Sequence, residues 1–147
     1  MRRDAVRLRP WTRWLLYLAS GALFVTGIAW AGLRYLIPET EEWTGPWKAD
    51  ALKIHGAFAM VLLVLVGMLL STHVRVAWRA RRNRSNGVFF LSSLGLLVVT
   101  GYGLYYFGDE RLRSWTSWIH LGVGALLPVF FILHVWLGRK TRIGDRA

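Results

Sequence analysis

Four histidines, His55, His73, His120 and His134, are the only ones in a chain of 147 residues. A neutral imidazole can ligate a metal, carry a proton or hydrogen-bond a neighbour, and its spacing along a helix indicates which. His55 and His73 are 18 residues apart. At about 100° per residue this is five full turns, so both share one helical face, roughly 27 Å apart along the axis. His120 and His134 are 14 residues apart. That falls about 40° short of four turns, so this pair also shares a face, roughly 21 Å apart. The chain has no cysteine, which excludes disulfides, thiolate metal sites and c-type haem attachment.

The elements that must carry these residues are unusual for a soluble protein. Hydrophobic residues make up 54% of the chain, gathered in blocks between short charged segments. Trp14 to Leu33, Ile54 to Val74, Ser85 to Gly108 and Ser114 to Gly138 hold no Asp, Glu, Lys or Arg. Each is long enough to cross a hydrocarbon core about 30 Å thick at about 1.5 Å per residue. The expected fold is therefore an all-α integral membrane four-helix bundle. It is a single domain over 1–147, with helices at about 14–37, 51–79, 86–107 and 114–138.

The net charge of +11 is distributed as a membrane protein would have it rather than as a nucleic-acid surface. Fourteen of the nineteen Lys and Arg lie at the N-terminus, between Arg75 and Arg84, or after Gly138. The other two loops hold Arg34, Lys48, Lys53, Arg111 and Arg113 beside Glu39, Glu41, Glu42, Asp50, Asp109 and Glu110. The positive-inside rule puts both termini in the cytoplasm, and multi-pass insertion in a bacterial inner membrane is expected. All nine tryptophans fall near helix ends or in loops, as an aromatic belt does. Ala29-Trp30-Ala31 loosely fits a signal peptidase site, but the first stretch reads as a helix of the mature protein.

The two halves resemble each other. Gly21-Ala22-Leu23-Phe24-Val25-Thr26-Gly27 aligns with Gly95-Leu96-Leu97-Val98-Val99-Thr100-Gly101, and each is followed by a loop and a helix with two histidines. The last histidine of each half precedes a valine, Val74 or Val135, and then a basic segment. Two tandem helical hairpins, a 2+2 parallel repeat with its axis along the membrane normal, are expected. The topology then levels His55 with His120 at the outer surface and His73 with His134 at the inner one. Two facing imidazole pairs suit two b-type haems, each ligated by two histidines and held non-covalently. Singly, each histidine would be an ordinary polar contact or interfacial residue; four in phase on equivalent helices are harder to explain that way. Zinc binding or proton transport is the other chemistry open to them, but the spans contain no carboxylate to complete a metal site or relay. Pro128, opposite the Gly124 carbonyl, is expected to kink the fourth helix. The haem reading makes Lys53, Arg111 and Arg113 outer propionate contacts and Arg75 and Arg79 inner ones, though headgroup anchoring is the commoner reason for each.

From Trp14 to Arg139 the chain resembles small bacterial di-haem membrane cytochromes b, such as cytochrome b561 and the cytochrome b subunits of formate dehydrogenases and hydrogenases. The resemblance rests on His120 and His134, and on His55-Gly56. It departs from the family pattern in the first helix, which usually supplies a ligand and here has no histidine. His73 must take that place, as in compact cytochrome b-like proteins whose ligands all come from two helices. The resemblance implies an electron-transfer subunit, not a stand-alone enzyme, working between the quinone pool and a redox partner. It also implies a quinone site, for which the outer cluster Tyr102, Tyr105, Tyr106, Asp109 and Glu110 offers ring contacts and proton acceptors. Ser71, Thr72 and Arg75 are the poorer inner set. The acidic first loop, with Glu39, Glu41, Glu42 and Asp50 beside Trp43 and Trp47, suits a basic periplasmic partner such as a soluble cytochrome c. The competing reading is a haem-free membrane anchor or assembly subunit, because the loops are too short for chemistry of their own.

Overall fold

The computed structural model describes residues 8–38, 44–81 and 83–143. Over these residues the protein is all-helical. Helix α1 is Pro10–Tyr35, α2 is Thr44–Leu69, a π segment covers Leu70–Val74, α3 is Arg75–Arg79, α4 is Arg84–Tyr106 and α5 is Glu110–Ile143. Joined end to end, α2, the π segment and α3 make one long span. Four helical stretches, Pro10–Tyr35, Gly45–Arg79, Arg84–Tyr106 and Glu110–Lys140, are long and apolar enough to cross a membrane.

Most helices run past the charge-free stretches that mark them in the sequence. Charge limits where hydrocarbon can lie, but it does not end a hydrogen-bond ladder. α1 starts at Pro10, where a missing N–H is harmless because the first turn has no acceptor for it. α5 takes in Glu110 to Arg113 at one end and Arg139 and Lys140 at the other. It also continues through Pro128 as one helix, although the ring removes the N–H that would bond the Gly124 carbonyl. Between α3 and α4, Arg81 and Asn83 both take positive φ, 53° and 48°. The Trp78 carbonyl organises that turn. It accepts from the Arg81 N–H at 3.1 Å and from Arg84 Nε and Nη2 at 3.0 and 2.7 Å. The Arg84 guanidinium lies 4.8 Å over the Trp78 ring.

The chain divides into two compact units, Met1–Val76 and Ala77–Ala147, each built on one helical hairpin. In the first, α1 packs on α2 through a buried cluster of Leu16, Ala19 and Leu65, with Phe58, Leu62 and Leu69 against it. In the second, α4 packs on α5 through Phe89 on Phe130, ring centroids 4.9 Å apart, and Phe90 on Phe131 at 5.8 Å. The buried residues of this seam are small or hydroxylated: Ser93, Thr100 and Thr116. Each hydroxyl donates to the carbonyl four residues earlier, at 2.9, 2.7 and 2.8 Å. That satisfies the polar group locally and keeps the helices close.

Gly103, buried near the end of α4, is tied to one contact. The Phe107 ring folds back on it so closely that a Cβ there would stand 2.5 Å from the ring edge. Gly103→Val should therefore destabilise the second hairpin by about 1–3 kcal/mol through overpacking. Phe107→Ala should recover most of that loss in the double variant, measured as thermal midpoints in detergent. A Gly103→Val protein as stable as the parent would refute the contact.

Candidate functional site

Each hairpin brings a threonine from its first helix to a histidine of its second. Thr26 Oγ1 on α1 lies 3.0 Å from His55 Nδ1 on α2, and Thr100 Oγ1 on α4 lies 2.9 Å from His120 Nδ1 on α5. Both hydroxyls are also bonded to their own helix. Thr26 donates to the Ala22 carbonyl at 2.7 Å, with the Leu23 carbonyl at 3.2 Å. Thr100 donates to the Leu96 carbonyl at 2.7 Å, with the Leu97 carbonyl at 3.2 Å. The glycine after each threonine is the seat of the ring. A Cβ on Gly27 would meet His55 Cε1 at 3.4 Å, and one on Gly101 would meet His120 Cε1 at the same distance. The repeated Thr-Gly pair thus supplies a hydrogen-bond acceptor and the space beside it, and both imidazoles are half-buried.

The other two histidines have different surroundings. His134 stacks on Phe90, centroids 4.9 Å apart and planes 18° apart. The Asn86 amide nitrogen is 3.2 Å from its Nδ1 and 3.4 Å from its backbone carbonyl. His73 sits inside the π segment Leu70–Val74, where the Arg75 N–H bonds the Leu70 carbonyl five residues back. A π turn holds more residues than an α turn, so His73 lags the position that an unbroken helix from His55 would give it. The 18-residue, five-turn phase relation therefore needs correcting at this end. Ser71 and Thr72 accompany the widening: both hydroxyls donate to the Met68 carbonyl, at 3.1 and 3.0 Å. Local hydroxyl bonds of this kind compete with the regular ladder.

The remaining candidates are at the surface. Lys53 bonds Asp50 Oδ1 at 2.9 Å, while Arg75, Arg79, Arg111 and Arg113 are exposed. Tyr102 stacks on Tyr106 with centroids 4.3 Å apart, and both rings and that of Tyr105 are largely exposed. Asp109 caps α5 by accepting the Leu112 N–H on Oδ1 at 2.7 Å, and Glu110 begins the helix, where its charge complements the macrodipole. Glu39, Glu41, Glu42 and Trp43, on which the docking expectation rests, lie outside the described residues. Among the described residues no three His, Asp or Glu come together as a metal cluster.

Thr26 and Thr100 are visible in the sequence only as the end of the repeat, and their role as acceptors emerges once the hairpins close. Asn86 carries no periodic or motif signal at all. Comparison with protein-family models, with curated proteins and with solved structures finds no match. The cytochrome b likeness accordingly rests on the histidines and their setting.

Asp109→Ala removes the cap of α5 and should cost about 0.5–2 kcal/mol in thermal or denaturant unfolding. Asp109→Asn should retain most of the stability, since its amide oxygen can accept the same N–H. Equal stability of Asp109→Ala and the parent would show that the carboxylate has another role.

Proposed function

We propose that this chain is a membrane electron-transfer subunit that binds two b-type haems, with His55, His73, His120 and His134 as the axial ligands. The observation that carries the reading is the Thr–His–Gly arrangement, built alike in each hairpin with threonine-to-imidazole distances of 3.0 and 2.9 Å. A histidine that ligates iron almost always hands its other ring nitrogen to an oxygen acceptor, which fixes the ring. Each threonine is such an acceptor, and each adjoining glycine removes the side chain that would press on the imidazole. The donor set thus fits haem iron, a group that would contribute one-electron reduction and oxidation.

The chain's own residues do the rest. Thr26 and Thr100 orient two rings, Phe90 supports a third through the His134 stack, and the spans that carry all four are apolar. The positive-inside pattern of charge supports a topology with both termini in the cytoplasm, in a bacterial inner membrane. The matching segments that end at Gly27 and Gly101 favour descent of the two hairpins from one. Electrons would enter from a quinol and leave to a protein partner, or the reverse, with the His55 and His120 levels nearer the outer surface. Asp109 is already engaged as a helix cap, so Tyr102, Tyr105 and Glu110 are the better-placed part of the outer quinone cluster.

Purified protein should give the reduced-minus-oxidised spectrum of bis-histidine b haem, with two haems per chain by pyridine haemochrome. His120→Leu with His134→Leu should remove haem while leaving a folded, membrane-inserted chain. Colourless parent protein, or a double variant with unchanged haem and lost association with a partner complex, would support the anchor reading instead.

A further inference from the structure

Arg13, on α1, carries a polar atom that the described residues leave unsatisfied. Its Nε is buried and, among them, has no hydrogen-bond partner. A guanidinium stays charged, and a buried N–H without an acceptor is costly, so folded chains keep few of them. A carboxylate on the same hairpin would be the ordinary remedy. The described residues of this unit hold only Asp50, which is bonded to Lys53 and lies toward the other end of α2.

The register of the hairpin places Arg13. Thr26 meets His55; ten residues back along α1, Leu16 clusters with Leu65, ten residues on along α2. The two helices are therefore antiparallel and in step. Three residues further back, Arg13 is level with Met68, inside the charge-free stretch and next to the π segment Leu70–Val74. It borders Leu16 on the helix surface, and Leu8 and Leu69 pack on the cluster to which Leu16 belongs. His73 is five residues beyond Met68, at most about 7.5 Å along the axis. Side chains lean toward the N-terminus of their own helix, which on α1 is the direction of the His73 level.

We propose that Arg13 binds a carboxylate at this end of the first hairpin and that, resting on the haem reading above, this carboxylate is a propionate of the group ligated by His73. Nε and the adjacent Nη of an arginine form a fork that matches the two oxygens of a carboxylate, and the unsatisfied atom is one tine of it. Arg75 and Arg79, the cations that the sequence offers for this end, are exposed, where water or a headgroup phosphate can serve them. A buried nitrogen level with Met68 is better served by an acid carried into the seam.

The test uses the full-length chain, made without haem supply and placed in phosphatidylcholine nanodiscs. Before haem is added, Arg13→Met should raise the thermal midpoint, because it removes a buried charge that lacks its partner. Ferric haem b and its dimethyl ester, whose propionates are neutral, are then titrated in and followed by absorbance. Arg13→Met should bind one equivalent of haem b about 10–100-fold more weakly than the parent, and should bind the ester as the parent does. Arg13→Lys, a point charge without the fork, should recover part of the loss. Arg75→Gln with Arg79→Gln should bind haem b as the parent does. Equal binding of haem b by the parent and Arg13→Met would overturn the proposal and leave the haem reading standing. A parent that takes up no haem would overturn the haem reading and the propionate with it. Phosphatidylglycerol nanodiscs that raise the midpoint of the haem-free parent but not of Arg13→Met, with haem b bound alike by both, would assign Arg13 to a headgroup phosphate instead.

Discussion

On helices apolar enough to cross a membrane, a polar side chain has few polar neighbours to turn to, and the threonine–imidazole bond that crosses each hairpin supplies one for two of the four histidines. Such interhelical bonds are each worth only about 0.6–1.7 kcal/mol, too little to hold a hairpin together. Apolar contacts do that, through Leu16, Ala19 and Leu65 in the first hairpin and the phenylalanine pairs in the second. What the bond contributes is direction. A hydroxyl anchored on its own helix 2.7 Å from a carbonyl has one proton and has already used it, so it turns lone pairs toward the imidazole across the seam. The glycine that follows lets the ring lie against the neighbouring backbone.

The opposite ends of the hairpins follow no such shared rule. His73 lies in a π turn, and His134 lies between a phenylalanine ring and an amide. The two spans also differ in the number of residues between their histidines, and the π turn falls in the span with more of them, a mid-helix device often found at functional sites. A chain whose halves share one motif at one end and diverge at the other can hold two similar groups in unlike settings. An electron carrier needs such a difference if its two centres are to differ in potential.

The four spans were legible because Trp14 to Leu33, Ile54 to Val74, Ser85 to Gly108 and Ser114 to Gly138 hold no Asp, Glu, Lys or Arg. Their ends were not, because Glu110 to Arg113 and Arg139 continue a helix as readily as leucine does. The match of Gly21 to Gly27 with Gly95 to Gly101 pointed to the correct stretch of helix. That its threonine serves a histidine 29 residues on in one half and 20 in the other depends on how each loop lets the seam register. The phase of His73 was misjudged because a constant 100° per residue has no place for a π turn. Asn86 was invisible because a single amide near a helix start has no pattern to betray it. Asp109, read from the sequence as a proton acceptor, also caps α5, a role that its position before Glu110 and an apolar run allows.

The central claim is that imidazoles on these helices present a nitrogen to iron. Low-temperature electron paramagnetic resonance of the oxidised, purified chain tests it most directly, because spin state reports both axial positions at once. Ferric haem held by two imidazole ligands should be wholly low-spin. A high-spin ferric signal in the parent protein, or purified chain carrying no haem iron, would contradict it.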